Sequence, residues 1–428
     1  MPRPRPPDGR RRLIVADPGL TGAEGHHLHY SAGIAVAAHS HGLSPIVLSS
    51  LEFDGAIADG AVPVEPCFAS QYQTSGGGGW PRRALFRALS CLPDGVAAAQ
   101  AAAIRGMRRW ARRRGVQDDL FGRELADWLR QKGNGQTDFV LMHSVSAANL
   151  ASLPPHLAPE SCAGLLIVLR RTPEDMDTDD PGPNPIGTLL RRLATRYGGK
   201  MVLFADTEPL AEIFRELTHL PVYAVPPPVM VPDPLAPAET TQLPRLVFIG
   251  GARREKGYRH LPDIARACRG LARLTIHAGA VTAASDPLVQ RAHRALRRMV
   301  GPDLTLIEGV LGPDDYWNVM ARADLVLLPY DPITYGPRSS GILVEALALG
   351  VPALVPAGCW MEHAGGPETT IAMRANETAR VLVPRLLEAL PGLARKARVR
   401  RSAWREAHSF DRLLTGLLAP LAGIAESK

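Results

Sequence analysis

Long apolar runs are missing from this chain: none approaches the ~20 residues that a membrane-spanning helix needs. Cysteine is scarce. The five (Cys67, Cys91, Cys162, Cys268, Cys359) are odd in number, scattered, and form no Cys-x-x-Cys pair. That argues against a disulfide framework and against a zinc site. No Gly-x-Gly-x-x-Gly comes after the first predicted strand, so dinucleotide binding there has little support. Zinc-finger, recognition-helix and RNA-binding aromatic patterns are also lacking, and nucleic acid is not an expected partner. Residues 1–12 are rich in Pro and Arg without an apolar centre, which is not the pattern of a secretory signal. These absences together point to a cytoplasmic protein.

What is present suits two domains of ordinary size within 428 residues. The apolar share of 46% and charged share of 21% are those of a globular protein, and the net charge of +7 favours anionic partners. Past the basic start (1–12), short apolar runs at 13–17, 45–49, 62–68, 139–143, 165–169, 202–205 and 222–225 read as buried strands, with helical stretches between several of them. The first strand leads into a loop with Gly22 and Gly25, and a helix opens at His26. His143 closes the fourth strand, where open α/β sheets place their ligands.

Two charged stretches in this half each admit two readings. Between Arg82 and Arg114 nine arginines face a single acid, Asp94, with Ile104, Met107 and Trp110 at helical spacing. This reads either as a peripheral contact with anionic membrane or as a solvated helix packed on its own domain. The row Asp175, Asp177, Asp179 and Asp180 lacks the Gly and Glu of a calcium loop and is expected to be a solvated acidic loop.

A segment at 226–244 with seven prolines reads as an interdomain linker. Beyond it the strand–helix alternation resumes, with strands at 246–249, 274–277, 304–307, 325–328 and 353–355 and helices opening near Tyr258, Pro287, Pro313 and Ser340. The pattern predicts a second parallel sheet at 245–390 ending in a helix at 377–390, then C-terminal helices (391–428) that cross back to the first domain, the stretch 394–424 being interrupted. The fold class expected is α/β: two Rossmann-like, doubly wound domains (13–225 and 245–390) facing a central cleft.

The chemistry concentrates in the second half. The strand at 246–249 runs into Gly250-Gly251-Ala252-Arg253-Arg254-Glu255-Lys256-Gly257, where glycine lets the backbone approach a ligand beside fixed positive charge. After the strand at 325–328, Ser339, Ser340 and Gly341 open a helix whose first amides can face an anion, with Glu345 on its early turns and Gly350 ending it. Two phosphate-seeking clusters at strand ends of one sheet outline a nucleotide-diphosphate site.

Taken together, 248–257 and 339–352 resemble the retaining GT-B glycosyltransferases of the glycogen synthase and mannosyltransferase type (group 1, family 4-like), over most of 244–360. The resemblance implies transfer of a sugar from a nucleotide-diphosphate sugar to a glycan or glycolipid hydroxyl, with retention. It implies no cofactor or metal, the sugar nucleotide being a co-substrate. It further implies that Glu345 binds the ribose, and that Gly250, Gly251, Arg254, Ser339, Ser340, Gly341 and Arg338 line the donor. Arg253 and Lys256 would meet the diphosphate, Ile307 and Val310 the base, and His143 the transferred sugar. Gly22, Gly25 and His26 would form the acceptor-side loop.

Two positions depart from the pattern. Pro337 stands where the family has the first Glu of Glu-x7-Glu, and Gly251 stands where it has an Arg. Pro337 keeps open a non-catalytic sugar-nucleotide-binding subunit, and the fold alone also accommodates a sugar-nucleotide epimerase.

Overall fold

The structure is a computed structural model that describes residues 11–22, 26–69, 120–179, 184–232 and 242–425. Gly25, Asp180 and the arginine-rich stretch between Arg82 and Arg114 lie outside these residues. By its internal contacts the chain forms two compact units, one up to Val225 and resuming at Leu414, the other from Pro226 to Leu413.

Among its described residues the first unit holds seven strands: β1 (Arg12–Ala16), β2 (Ser44–Ser50), β3 (Val64–Phe68), β4 (Asp138–Met142), β5 (Gly164–Leu169), β6 (Met201–Ala205) and β7 (Val222–Ala224). All pair in parallel in the order β3-β2-β1-β4-β5-β6-β7. The order reverses at β1, and a parallel strand needs a covered crossover to return. Helices α1 (His26–Ser40), α2 (Phe121–Lys132), α3 (Ala147–His156), α4 (Pro173–Asp179), α5 (Ile186–Tyr197) and α6 (Glu208–Thr218) lie between the strands. β4 and β5 are buried at every residue, which explains the apolar run of β5 and of β4 after its first residue, Asp138, which pairs with Arg12.

The second unit repeats the plan with six strands: β8 (Arg245–Phe248), β9 (Arg273–Gly279), β10 (Leu304–Glu308), β11 (Leu325–Leu327), β12 (Ala353–Pro356) and β13 (Thr370–Met373). Their order is β10-β9-β8-β11-β12-β13, again all parallel. Its helices are α7 (Leu261–Cys268), α8 (Pro287–Arg297), α9 (Pro313–Ala321), α10 (Pro332–Tyr335), α11 (Gly341–Leu349), α12 (Trp360–Gly365) and α13 (Ala379–Ala407). The final helix, α14 (Phe410–Ala425), runs across the division at Leu414.

Two expectations need correction. The aspartate row does not stay a loop: Asp175, Asp177 and Asp179 fall on α4, which opens with Pro173 at its first position and acids in its first turn. The helices at 377–390 and 394–424 are not separate at Leu390: α13 continues through Pro384 and Pro391 for 29 residues to Ala407, and the interruption expected within 394–424 falls there, before α14. Leu382, Val383, Leu386, Leu390, Leu393 and Ala397 are all buried along one face, and that burial offsets the ~3 kcal/mol cost of each internal proline. The proline-rich segment begins where the two units divide, and its start is fastened: Val229 N–H donates to His408 O at 2.7 Å, and His408 Nδ1 meets Pro227 O at 2.8 Å. No helix among the described residues is long and apolar enough to cross a membrane.

Candidate functional site

In the second unit β8 and β11 are neighbours, so the loops that leave them emerge side by side at the C-terminal edge of the sheet. The loop after β8 depends on glycine. Gly257 has φ +69°, and a Cβ there would sit 1.7 Å from Pro329 O, so only glycine lets the loop close on the end of β11. A Cβ on Gly250 would meet Ile342 Cδ1 at 2.4 Å and Lys256 Nζ at 2.9 Å. The loop therefore rests directly on the first turn of α11, and Asp331 N–H bonds Glu255 O at 2.9 Å.

Lys256 folds back over this loop, its Nζ donating to Gly250 O at 2.7 Å and lying 5.9 Å from the Tyr330 ring centre. Burial, with Arg253 beside it, lowers the ammonium to about 8, against the opposite pull of Glu255 and Glu345. On α11 the Ser340 hydroxyl caps Leu343 N–H at 3.3 Å. The first-turn amides of Gly341 and Ile342 have no partner within the helix itself, which makes this end attractive to anions. Glu345, one turn on, accepts a hydrogen bond from the Tyr316 hydroxyl of α9. Burial pushes its carboxyl up to about 7, more than Tyr316 and Lys256 pull it down. Arg338 stacks over the Tyr335 ring at 4.9 Å.

The remaining donor positions divide. Gly251, Arg253, Ser339 and Gly341 lie on the same loop and helix start. Arg253 is largely exposed and 4.0 Å from Glu255. Arg254 turns instead to Asp286, at 3.8 Å, the capping residue of α8. Ile307 and Val310 lie at the end of β10, two strands from β8, and Val310 is 73% exposed.

In the first unit His143 is fully buried. Its Nε2 lies 3.0 Å from Ser31 Oγ and 3.2 Å from Asp17 Oδ2, its Nδ1 lies 3.0 Å from Ser144 Oγ, and the ring stacks on Tyr30 at 4.4 Å. Burial lowers its pKa below that of an ordinary histidine. The centre of this cluster is Asp17, directly after β1, which no sequence motif singles out. Its carboxylate also accepts from Gly19 N–H at 3.1 Å and Ser31 Oγ at 2.8 Å, and lies 2.7 Å from His27 Nδ1. Burial alone would raise Asp17, but His143 and His27 hold it well below the usual carboxylate range.

The same edge continues along the sheet with Arg170 after β5, 3.4 Å from Asp206 after β6 and 4.8 Å from the Tyr30 ring centre. The signal for these residues is their place: Asp17, His143, Arg170 and Asp206 all sit just past the ends of adjacent strands. Gly22 lies in the bend before α1, and His26 is the first residue of that helix. Among the described residues no cluster of three or more His, Cys, Asp or Glu side chains is placed to hold a metal ion.

No protein-family model matches this chain, and no curated protein sequence does. Solved structures do. A sucrose-phosphate synthase from Thermosynechococcus elongatus is similar with TM-score 0.64 and 13% identity, covering 97% of this chain and 100% of that one. HepE of Anabaena, solved with UDP and glucose, matches with TM-score 0.58 and 13% identity over 98% of this chain and 100% of its own. A UDP-forming trehalose-phosphate synthase from Burkholderia xenovorans matches with TM-score 0.59 and 12% identity, over 97% and 99%. At such identities the likeness concerns fold, and in fold the chain is a two-unit α/β protein of the GT-B type.

Proposed function

We propose that the protein is a glycosyltransferase that moves a sugar from a nucleotide-diphosphate sugar, UDP-linked in the first instance, to a glycan or glycolipid hydroxyl. The observation that carries this reading is the meeting of the glycine-shaped loop at Gly250 and Gly257 with the open start of α11. Around it Lys256, Arg338 and Glu345 put two cations and a carboxylate within electrostatic reach of one another. A diphosphate there would meet a lysine ammonium and backbone amides, while Glu345 could accept from a ribose hydroxyl. The fold likeness to UDP-using enzymes supports the same substrate class.

Retention of configuration belongs to the proposal. So does catalysis through charge: Arg253, Lys256 and the helix start would stabilise the departing diphosphate, a type of contact worth about 3 kcal/mol per well-placed donor. The free thiols Cys67, Cys162, Cys268 and Cys359 suit a reducing, cytoplasmic setting.

The test is turnover against a panel of sugar nucleotides with simple glycosides as acceptors, with and without chelator. Expected is release of nucleoside diphosphate that survives chelation and falls at least about 100-fold in Lys256→Ala, the loss of one strong transition-state donor. Tight sugar-nucleotide binding without turnover on any acceptor would favour a non-catalytic subunit, the reading that Pro337 keeps open.

A further inference from the structure

The end of β9 joins the two parts of the donor site, and one side chain there, His277, takes no part in holding the diphosphate or the ribose. On one side of β9, Ala278 O accepts Ala252 N–H from the phosphate-side loop at 2.7 Å. On the other side the register to β10 shifts by one residue between Ile307 and Glu308, which then pairs with Gly279, and just beyond it Gly309 N–H bonds Gly279 O at 3.3 Å. His277 adds a side-chain tie at this irregularity. Its Nε2 lies 2.9 Å from Gly309 O. A carbonyl only accepts, so Nε2 carries the proton and Nδ1 is an acceptor. That Nδ1 is buried and meets no hydrogen-bond partner.

An unpaired buried ring nitrogen destabilises the fold, a cost that leucine in the same space would avoid. What the histidine adds is the donor to Gly309. A second histidine fastens the neighbouring residue. His293 Nε2 lies 2.8 Å from Glu308 Oε1, and its Nδ1 lies 2.9 Å from the hydroxyl of Tyr258, the residue just past the phosphate-side loop. The turn at 307–311 is thus tied to that loop by side chains where the strand register shifts.

We propose that His277 is a positioning residue for nucleobase recognition: by holding the Gly309 carbonyl it sets the 307–311 turn against which the base of the donor is read. This rests on the glycosyltransferase reading of the same site. His277 would not touch the phosphates, so its loss should weaken only the part of donor affinity that comes from the base.

The experiment is calorimetric titration of the full chain with UDP, ADP, GDP and inorganic pyrophosphate. The variants are His277→Leu, which keeps volume, and His277→Gln, whose amide can donate in place of Nε2. Expected for His277→Leu is about tenfold weaker binding of the tightest nucleoside diphosphate, about 1.4 kcal/mol. Pyrophosphate should stay within about twofold and the preference among bases should shrink, while His277→Gln stays within about threefold of the parent protein. If His277→Leu does not fold, His277→Asn, polar but too short to reach Gly309, is read in the same way. Equal losses for nucleotide and pyrophosphate, or no loss, would overturn the proposal while leaving the donor reading intact. A parent protein that binds pyrophosphate as well as every nucleoside diphosphate would overturn both.

Discussion

Glu345 is asked for two things that conflict. Burial resists its charge and pushes the carboxyl up to about 7, yet binding a ribose hydroxyl is best served by the ionised form. A folded-state value above the unfolded one means that burying Glu345 costs stability, fully above about pH 7, less as pH falls, and not at all below the unfolded value of 4.5. Glu345→Gln keeps the acceptor for the Tyr316 hydroxyl and removes the charge. It should stabilise the ligand-free protein by about 1 kcal/mol, a rise of about 2–4 °C in melting temperature, while weakening UDP binding. Lys256 sets the other limit. Below about 8 its ammonium is charged, and above that it loses the charge a diphosphate needs. Affinity for UDP should therefore be highest between about pH 7 and 8, and Glu345→Gln should flatten the acid limb alone. Titration of UDP from about pH 6 to about pH 9 reads both limbs; a profile unchanged by the substitution would separate Glu345 from the donor.

Among the elements, the loop after β8 and the start of α11 are held together by glycine rather than by side-chain affinity. Gly257 combines φ +69° with 1.7 Å between an added Cβ and Pro329 O, so Gly257→Ala cannot be absorbed by a rotamer change. Expected is a loss of about 2–3 kcal/mol in urea unfolding together with weaker UDP binding, because the loop must lift off β11. Gly22→Ala, where an added Cβ meets nothing within 4 Å, is the matched control and should change neither. This loop and α11 were readable from the sequence because glycine, serine and charge punctuate two apolar strands. Other elements were not readable. β13 is short, and its last two residues are only half-buried, so Thr370–Met373 gives no long apolar run. α13 carries two prolines that predict a break by local rules, and tertiary burial overrides them. Asp17 was hidden for another reason. A single acid after a strand has no periodic signal, and its importance arises only when β1 and β4, more than a hundred residues apart, pair in parallel.

For the molecule as a whole, the division of labour between the units is testable. Lys256, Arg338, Glu345, His277 and the 307–311 turn all belong to the unit from Pro226 to Leu413, while Asp17, His143 and Arg170 belong to the other. Each unit has its own sheet and its own core, so unfolding of the whole chain need not be a single two-state event. UDP, which lacks the sugar, should act on the second unit alone. A ligand that binds only the native form stabilises it by RT ln(1 + [L]/Kd), about 2.7 kcal/mol at a hundredfold excess over Kd. Hydrogen exchange with saturating UDP should then slow in the β8 loop, at 307–311 and in the first turn of α11, with β1, β4 and β5 exchanging as before. In a thermal scan the transition belonging to the second unit should move up and the other should stay. Protection by UDP alone at Asp17 and His143, with none at the start of α11, would reverse the assignment of donor and acceptor units.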